Sequence, residues 1–265
     1  MTQPHCANSV MAEAAARQGS LHPRRRASEL RVDHQPGAVL HTMPWRETSL
    51  IVEVFTRDFG RLPLVARGAK RPTSQFRGLL SPFAPLALAW SGRGEIKNLV
   101  RVEWIGGMPP LRGQALLSAF YANELLVRLM ARADPHERLF DRYLELLRGL
   151  AQPRHDATLR TFELELLREV GYAVPLDQCS SGEPIDAATR YLFRAEAGAH
   201  RLRAGEGDAG DMTISGATLL AMARGDFDDP RVASEAKLML RQLIRYHLDG
   251  KPLNTRRILL DLHQL

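Results

Sequence analysis

Two periodicities of hydrophobic residues divide the chain, and they meet near Pro109 and Pro110. Before these prolines, apolar and polar residues alternate in short runs, as over residues 96–105, which is the pattern of a strand with one buried face. After them, apolar residues recur every three or four positions, as in helices that pack on one side. The sequence therefore predicts an α+β protein with a β domain followed by a helical domain.

Five strands and no long helix are predicted in the first domain. The strands cover residues 38–42, 48–56, 61–66, 79–90 (interrupted by two prolines) and 96–105. Five short strands within a segment of this size are typical of a small closed barrel. The strand pattern alone does not separate an oligonucleotide-binding (OB) barrel from an SH3-like barrel.

The second domain is predicted to be a helical bundle with an irregular insertion. Helices are expected over residues 114–131, 137–151, 157–170, 215–224 and 232–248, followed by a short one that Thr255 caps and that holds Ile258, Leu259 and Leu262. Residues 109–175 and 212–265 are expected to form one bundle. The insertion, residues 176–211, is rich in glycine and lacks a sustained period, although residues 190–194 predict a short strand.

The first 36 residues are rich in Ala, Arg, His and Gln, and they end at Pro36-Gly37. Because they show no hydrophobic period, we expect a disordered extension. No stretch of the sequence has the apolar run of a secretory signal or a membrane span. The two cysteines, Cys6 and Cys179, fit no disulfide framework, as expected of a cytoplasmic protein.

Positive charge is concentrated in two stretches of the chain. The net charge is +6, and residues 38–107 hold 10 basic against 5 acidic residues, whereas residues 108–265 hold 21 against 22. A second basic run, residues 237–257, has six bases and one acid. This segregation favours a polyanionic partner for both stretches, with ordinary solvated surfaces as the alternative.

The turns of the predicted barrel carry the first candidate binding site. Its basic residues lie mostly in or beside turns, where long side chains reach solvent. They are Arg46, Arg57, Arg61, Arg67, Lys70, Arg71, Arg77, Arg93 and Lys97. Nearby Trp45, Phe59 and Phe76 are placed to stack on bases, with burial in the barrel core as the alternative. Since no base-reading arrangement is evident, we expect little sequence preference and a steep salt dependence.

Five ordered blocks of the sequence resemble a known family. They read TSLIVEVFTRDFGRLPLVARGAKRP, GLLSPFAPLALAWSGRGEIKNL, FYANELLVRLM, LRTFELELLREVGY and LDGKPLNTRR. Together they are similar to RecO, a family of bacterial recombination mediators, over roughly residues 39–258. The resemblance selects the OB fold for residues 37–108 and implies a helical domain whose insertion is a degenerate, zinc-finger-like segment.

The resemblance implies a non-enzymatic role in DNA repair and recombination. RecO proteins bind single- and double-stranded DNA, anneal complementary strands coated by single-strand DNA-binding protein and, with RecR, help to load RecA. A protein of this kind is nucleoid-associated. The resemblance also implicates Lys251 and Arg256 of the C-terminal block in DNA binding, although Thr255 stands where the family usually has serine. Lys237, Arg241 and Arg245 form one positive helical stripe, either a solvated face or an extension of that site.

RecO proteins also bind the C-terminal tail of single-strand DNA-binding protein in their helical domain. Arg160 lies just ahead of Phe162 in the matching block. The resemblance therefore implies that Arg160 pairs with a tail carboxylate while Leu159 and nearby apolar side chains accept a buried ring. The alternative is that Arg160 is an ordinary exposed helix residue.

Two kinds of metal site are not expected. Many RecO proteins hold zinc with four cysteines, but Cys179 and His200 supply at most two ligands where a structural zinc needs four. Asp226, Asp228 and Asp229 resemble acids that hold magnesium in a nuclease, yet solvated loop residues are the competing interpretation. No nucleotide-binding or hydrolase motif is present. A sequence-tolerant RNA-binding module stays open as another alternative.

Overall fold

A closed five-stranded barrel forms the N-terminal domain of the computed structural model, which describes residues 31–153, 156–202, 212–255 and 257–258. Its strands are β1 (Arg31–Trp45), β2 (Ser49–Thr56), β3 (Gly60–Ala66), β4 (Pro85–Ser91) and β5 (Lys97–Trp104). They follow the order β1-β2-β3-β5-β4, with β3 and β5 parallel and all other neighbours antiparallel. The predicted α+β class with an OB-like barrel is confirmed.

Strand β2 is buried on both of its faces. Val52 and Val54 point into the barrel core, whose largest side chain is Trp90. On the opposite face, Phe55 packs edge-on against Phe140 and Tyr143, with ring centroids 5.3 and 6.1 Å apart. Strand β2 is therefore the wall that the barrel shares with the helical domain.

The first strand begins earlier than the sequence predicts. Residues 31–36, which were assigned to the disordered extension, pair with β4, and Val32 is buried in the barrel core. Pro36 lies inside the strand, where its carbonyl oxygen accepts a hydrogen bond from the N–H of Arg57 at 3.0 Å. The prediction was wrong here because Pro36-Gly37 was interpreted as a boundary. The rest of the expected extension, residues 1–30, lies outside the described residues.

Within the described ranges five long helices form the second domain, and the apolar face predicted for the last of them is confirmed except at Val232, which is half-buried. They are α1 (Gly113–Leu129), α2 (Glu137–Leu150), α3 (Asp156–Glu169), α4 (Gly216–Arg224) and α5 (Pro230–His247). Ala236, Leu240 and Ile244 are buried on α5, and the basic stripe of the same helix is exposed. No helix in the described ranges is long and apolar enough to cross a bilayer. The short C-terminal helix falls mostly outside those ranges, including Leu259 and Leu262.

The insertion contains more regular structure than predicted. Strands β6 (Arg190–Arg194), β7 (Gly198–Arg201) and β8 (Thr213–Ser215) form an antiparallel sheet in the order β7-β6-β8. The prediction of β6 is confirmed, whereas β7 and β8 are too short to show a period. Tyr191, Phe193 and Ile214 join the core of the helical domain, so the sheet is packed on the bundle.

The β2–β3 turn lies directly against the loop that follows α1. A Cβ atom on Gly60 would lie 2.0 Å from the carbonyl oxygen of Asp134. Beside it, the N–H of Ala133 donates to the carbonyl of Arg61 at 2.9 Å. This backbone-to-backbone contact helps to fix the barrel on the helices.

Replacing Gly60 by alanine should therefore destabilise the protein by more than its backbone conformation alone explains. Gly60 has a φ of +68°, and so does Gly68, whose added Cβ would meet only the Arg71 side chain at 3.5 Å. We expect Gly68→Ala to cost about 1–2 kcal/mol from left-handed strain and Gly60→Ala at least about 2 kcal/mol more. Urea unfolding of both variants measures the difference, and equal losses would contradict the close contact.

Candidate nucleic-acid interface

A basic cleft opens at one end of the barrel, where the β1–β2 turn, the end of β3 and the start of β5 meet. Its volume is about 420 Å³. The lining residues are Trp45, Arg46, Thr48, Ser49, Val65, Arg67, Gly68, Arg71 and Asn98. Three of the nine barrel cations predicted from the sequence thus line one cleft.

Backbone hydrogen bonds place two more of the predicted cations, Lys97 and Lys70, next to residues that line the basic cleft. Lys97 is paired with Leu64 in the parallel β3–β5 ladder, one residue before Asn98. The N–H of Lys70 donates to the carbonyl of Thr48 at 2.9 Å, which folds the loop after β3 back over the β1–β2 turn. The loop after β3, which consists of small and basic residues, is therefore held in one place by backbone hydrogen bonds.

Within the part of the chain that the structure describes, the cations at this end of the barrel lack an acidic partner. Across the described residues, none of the following forms an ion pair: Arg46, Arg67, Lys70, Arg71, Arg77, Arg93 and Lys97. Arg77 and Lys97 donate instead to the carbonyls of Pro72 and Gly94, at 3.2 and 3.3 Å. Because a carbonyl does not neutralise the charge, these side chains retain their attraction for phosphate.

Arg57, by contrast, does not reach the basic cleft. It lies beyond the opposite end of β2, roughly 25 Å away by the rise of the strand. Its guanidinium nitrogens are 2.9 Å from Glu137 and 3.3 Å from Asp141, both on α2. The side chain joins the barrel to the helical domain, so we leave it out of the proposed DNA surface.

Arg61 is likewise committed to the junction between the domains. Its guanidinium pairs with Glu53 and donates to the carbonyl of Met130 at 2.8 Å, with only 12% of the side chain exposed. Arg132 forms a second ion pair with Glu53, with 3.4 Å between its guanidinium nitrogen and the carboxylate oxygen. The assignment of Arg61 to DNA binding is corrected, because its charge is buried and compensated.

One of the three candidate stacking residues is available at the surface. Trp45 is 42% exposed in the basic cleft, and the Arg46 guanidinium lies 6.0 Å from its ring centroid. Phe76 is buried in the barrel core, and Phe59 packs edge-on against Trp90 at 5.2 Å. Both phenylalanines therefore pack in the barrel core, and only Trp45 is left as a candidate for stacking on bases.

The C-terminal basic block is held against α1 by a residue that the sequence did not single out. Glu124 accepts hydrogen bonds from the N–H groups of Asn254 and Thr255, at 2.8 and 2.9 Å, and from the Thr255 hydroxyl at 2.9 Å. Lys251 is exposed, 3.6 Å from Asp249. Arg256 lies outside the described residues.

Replacing Glu124 by alanine should release this block. The change removes three hydrogen bonds to one carboxylate, each worth about 1.5–3 kcal/mol when the acceptor is charged. We expect amide exchange at Asn254 and Thr255 to rise at least about tenfold, as measured by hydrogen exchange. Glu165→Ala, which removes an acid paired with the exposed Arg168, is the control. Unchanged protection in Glu124→Ala would contradict the anchoring role.

The two residues proposed for peptide binding are buried in the helical domain. Leu159 and Arg160 are each 6% exposed. A guanidinium nitrogen of Arg160 is 2.8 Å from Glu163, which also accepts a hydrogen bond from the Tyr121 hydroxyl at 2.7 Å. Desolvation raises the pKa of Glu163 and of Tyr121. The alternative of an ordinary exposed arginine is therefore wrong, and Arg160 already has a carboxylate partner.

The residues weighed for metal binding have local partners. Cys179 lies 3.0 Å from the Ser181 hydroxyl, which lowers the pKa of the thiol, and His200 is 2.7 Å from Ser180. Asp229 accepts the N–H of Arg231 and thereby caps α5. Within the part of the chain that the structure describes, no three His, Cys, Asp or Glu side chains are grouped to hold a metal ion.

Comparison with known proteins agrees with this architecture. Residues 31–108 match the model of the recombination protein O N terminal, and residues 111–257 match that of its C terminal. A DNA repair protein RecO of Ralstonia nicotianae is 50% identical over 260 residues, covering 98% of this chain and 94% of the relative. The Burkholderia pseudomallei protein of the same name is 45% identical over 269 residues, covering 99% and 97%. The chain belongs to the RecO family of DNA repair proteins.

Proposed function

We propose that this protein is a recombination mediator that binds single-stranded DNA, anneals complementary strands coated by single-strand DNA-binding protein and, with RecR, promotes RecA loading. The observation that carries the proposal is the basic cleft, whose arginines and lysines lack acidic partners in the described residues. Duplex DNA presents the same phosphates and is a further ligand. No covalent step is needed, so the role is not that of an enzyme.

The basic cleft is suited to holding a strand without reading its bases. Guanidinium and ammonium groups neutralise phosphates, and the released counterions make binding weaken steeply with salt. Trp45 offers an exposed ring on which any base stacks, a contact worth about 1–3 kcal/mol. A strand held in this way keeps its base edges free for a complementary strand.

The helical domain is proposed to recruit the protein to coated DNA by binding the acidic tail of single-strand DNA-binding protein. We propose Leu159 and Arg160 as the centre of this peptide site. Both side chains are buried, so the tail must open the packing around α3 and share Arg160 with Glu163. The buried Nε of Arg160 has no hydrogen-bond partner in the described part of the chain, which leaves a donor for a tail carboxylate.

Strand annealing measured with and without the tail tests this function. Tethering through the tail raises the local concentration of the mediator on coated DNA. Annealing of coated strands should therefore fall at least about tenfold when tail-less single-strand DNA-binding protein is used. Annealing of bare strands, the control, should not change. Equal rates with intact and tail-less protein would contradict recruitment, and no annealing of bare strands would contradict the mediator role.

A sequence-tolerant RNA-binding module is the second candidate, because a basic cleft with an exposed aromatic ring attracts the phosphates and bases of RNA as well as those of DNA. Competition between DNA and RNA oligonucleotides of the same sequence separates the two. The mediator role predicts that DNA competes at least as well as RNA. Preference for RNA by tenfold or more would favour the alternative.

A further inference from the structure

An open groove runs along the C-terminal half of α5 on the helical domain. It encloses about 1020 Å³. The residues that matter here are Tyr172, Leu238, Arg241, Arg245, Tyr246 and His247, and we call this surface the aromatic groove. None of them belongs to the basic cleft of the barrel.

Three rings are arranged at the surface of the aromatic groove. Tyr172 and His247 are stacked face to face, with centroids 4.0 Å apart and planes within 5°. Tyr246 meets His247 edge-on at 5.2 Å and is itself 51% exposed. Burial lowers the pKa of His247, so the ring is neutral near pH 7. Exposed flat rings of this kind are suited to stacking on a planar ligand.

Positive charge accompanies the rings. Arg241 and Arg245 are exposed one helical turn apart, and neither forms an ion pair with any described residue. Two acids, Glu196 and Asp249, also line the groove, and Asp249 is 3.6 Å from Lys251. The groove therefore carries, beside its rings, two guanidiniums that no acid among the described residues pairs with.

The aromatic groove continues into a neighbouring cleft. This second cleft has a volume of about 510 Å³ and shares His247 and Asp249 with the groove. Its other lining residues include Arg128 and Lys251. A continuous open surface thus extends from Arg241 to Lys251, although Arg128 is paired with Glu124 at 3.0 Å and adds no free charge to it.

We propose that the aromatic groove is a second binding site for single-stranded nucleic acid. Tyr246 and the Tyr172–His247 stack would hold bases, while Arg241 and Arg245 would hold phosphates. Residues four apart on a helix are separated by about 6 Å along its axis, which is comparable to the spacing of successive phosphates in an extended strand. The groove is open along its length, as a passing strand requires.

This inference extends the proposed function, because a second site lets one molecule hold two strands at once. Annealing brings together strands that repel each other through their phosphates. A protein with one cationic site on the barrel and another on the helical domain reduces that repulsion on both strands. The inference rests on single-strand binding by the protein but does not require the barrel to be the first site.

Stoichiometry with short oligothymidine tests the second site directly. An oligonucleotide of about eight nucleotides is within the range that one site covers. The full chain should bind two such molecules, as counted by native mass spectrometry and by titration. The double variant Arg241→Ala with Tyr246→Ala should bind one. Arg231→Ala, a change at an exposed arginine near the start of the same helix, should still bind two.

A second measurement separates stacking from charge. Replacing bases by abasic sites should weaken binding to the groove at least about fivefold in the wild type and in Tyr246→Phe, which keeps the ring. The same replacement should have a smaller effect at the groove in Tyr246→Ala, because only the Tyr172–His247 stack then remains to hold bases. Because Tyr246 is half exposed, removing its ring should leave the fold intact, and circular dichroism checks this.

Two results would overturn the inference. The first is two bound oligonucleotides in the Arg241→Ala, Tyr246→Ala variant. The second is a single bound oligonucleotide on the wild type. If an acidic peptide also binds the wild type and is lost in that variant, the groove belongs to a protein partner instead. Charge reversal at Arg67 and Arg71 addresses the barrel separately. If that variant still binds two oligonucleotides, the proposed cleft on the barrel fails while the groove stands.

Discussion

Charge reversal at Arg67, Lys70 and Arg71 is expected to weaken single-strand binding by at least about a hundredfold near 0.1 M salt. All three side chains are exposed at the basic cleft, and none has an acidic partner among the described residues. Each phosphate contact that is lost should also reduce the slope of log K against log salt by about 0.7. Fluorescence anisotropy with oligothymidine over a range of salt measures both quantities.

A control with the same change in net charge isolates the position of the charges. Arg138, Arg224 and Arg231 are exposed on the helical domain and lie outside both proposed nucleic-acid surfaces. Replacing all three by glutamate should weaken single-strand binding only a few-fold, because it changes the net charge of the protein but removes no contact with phosphate. Equal losses in the two triple variants would mean that net charge, and not the cleft, determines affinity. Unchanged affinity in the cleft variant at low salt would remove the barrel from the mechanism.

Replacing Glu53 by alanine should have the largest effect on stability. Glu53 is 6% exposed and holds Arg61, itself nearly buried, at the junction of barrel and helices. Removing one partner of a buried ion pair leaves an uncompensated charge, at a cost of about 3–5 kcal/mol. Urea unfolding should show this loss. The affinity of the folded fraction for oligothymidine should not change, because Glu53 lies outside the basic cleft.

Glu95 offers a matched control for the same network. It pairs with Arg132 at 2.9 Å, but its side chain is 75% exposed. Since exposed ion pairs contribute little, Glu95→Ala should cost less than about 1 kcal/mol. If Glu53→Ala costs no more than Glu95→Ala, the buried pair does not hold the junction.

Most of the fold could be predicted because its elements are long and strongly patterned. The apolar faces of α2 and α5 illustrate this, since their periods are visible without any neighbour. The start of β1 could not be predicted, because residues 31–36 are held by pairing with β4, whose residues are distant in the sequence. Strands β7 and β8, four and three residues long, are too short for a pattern to emerge.

The candidate site could be predicted only as a set of charges. Arg57 and Arg67 both lie beside turns of the barrel, and the sequence around them differs in one acid, Asp58, which is 3.6 Å from Arg57. They differ because Glu137 and Asp141 on α2 face Arg57, while no described acid faces Arg67. Glu124 was missed for the same reason, since its partners lie more than a hundred residues along the chain. Long-range packing decides which charges are free.

Hydrogen exchange of the full protein with and without saturating oligothymidine tests the central claim most directly. If the basic cleft holds the strand, protection should appear at residues 45–49, 66–71 and 97–98, which form and border the cleft. The β2–β3 turn that carries Arg57 should show no change. Protection at that turn, with none at the cleft, would contradict the account.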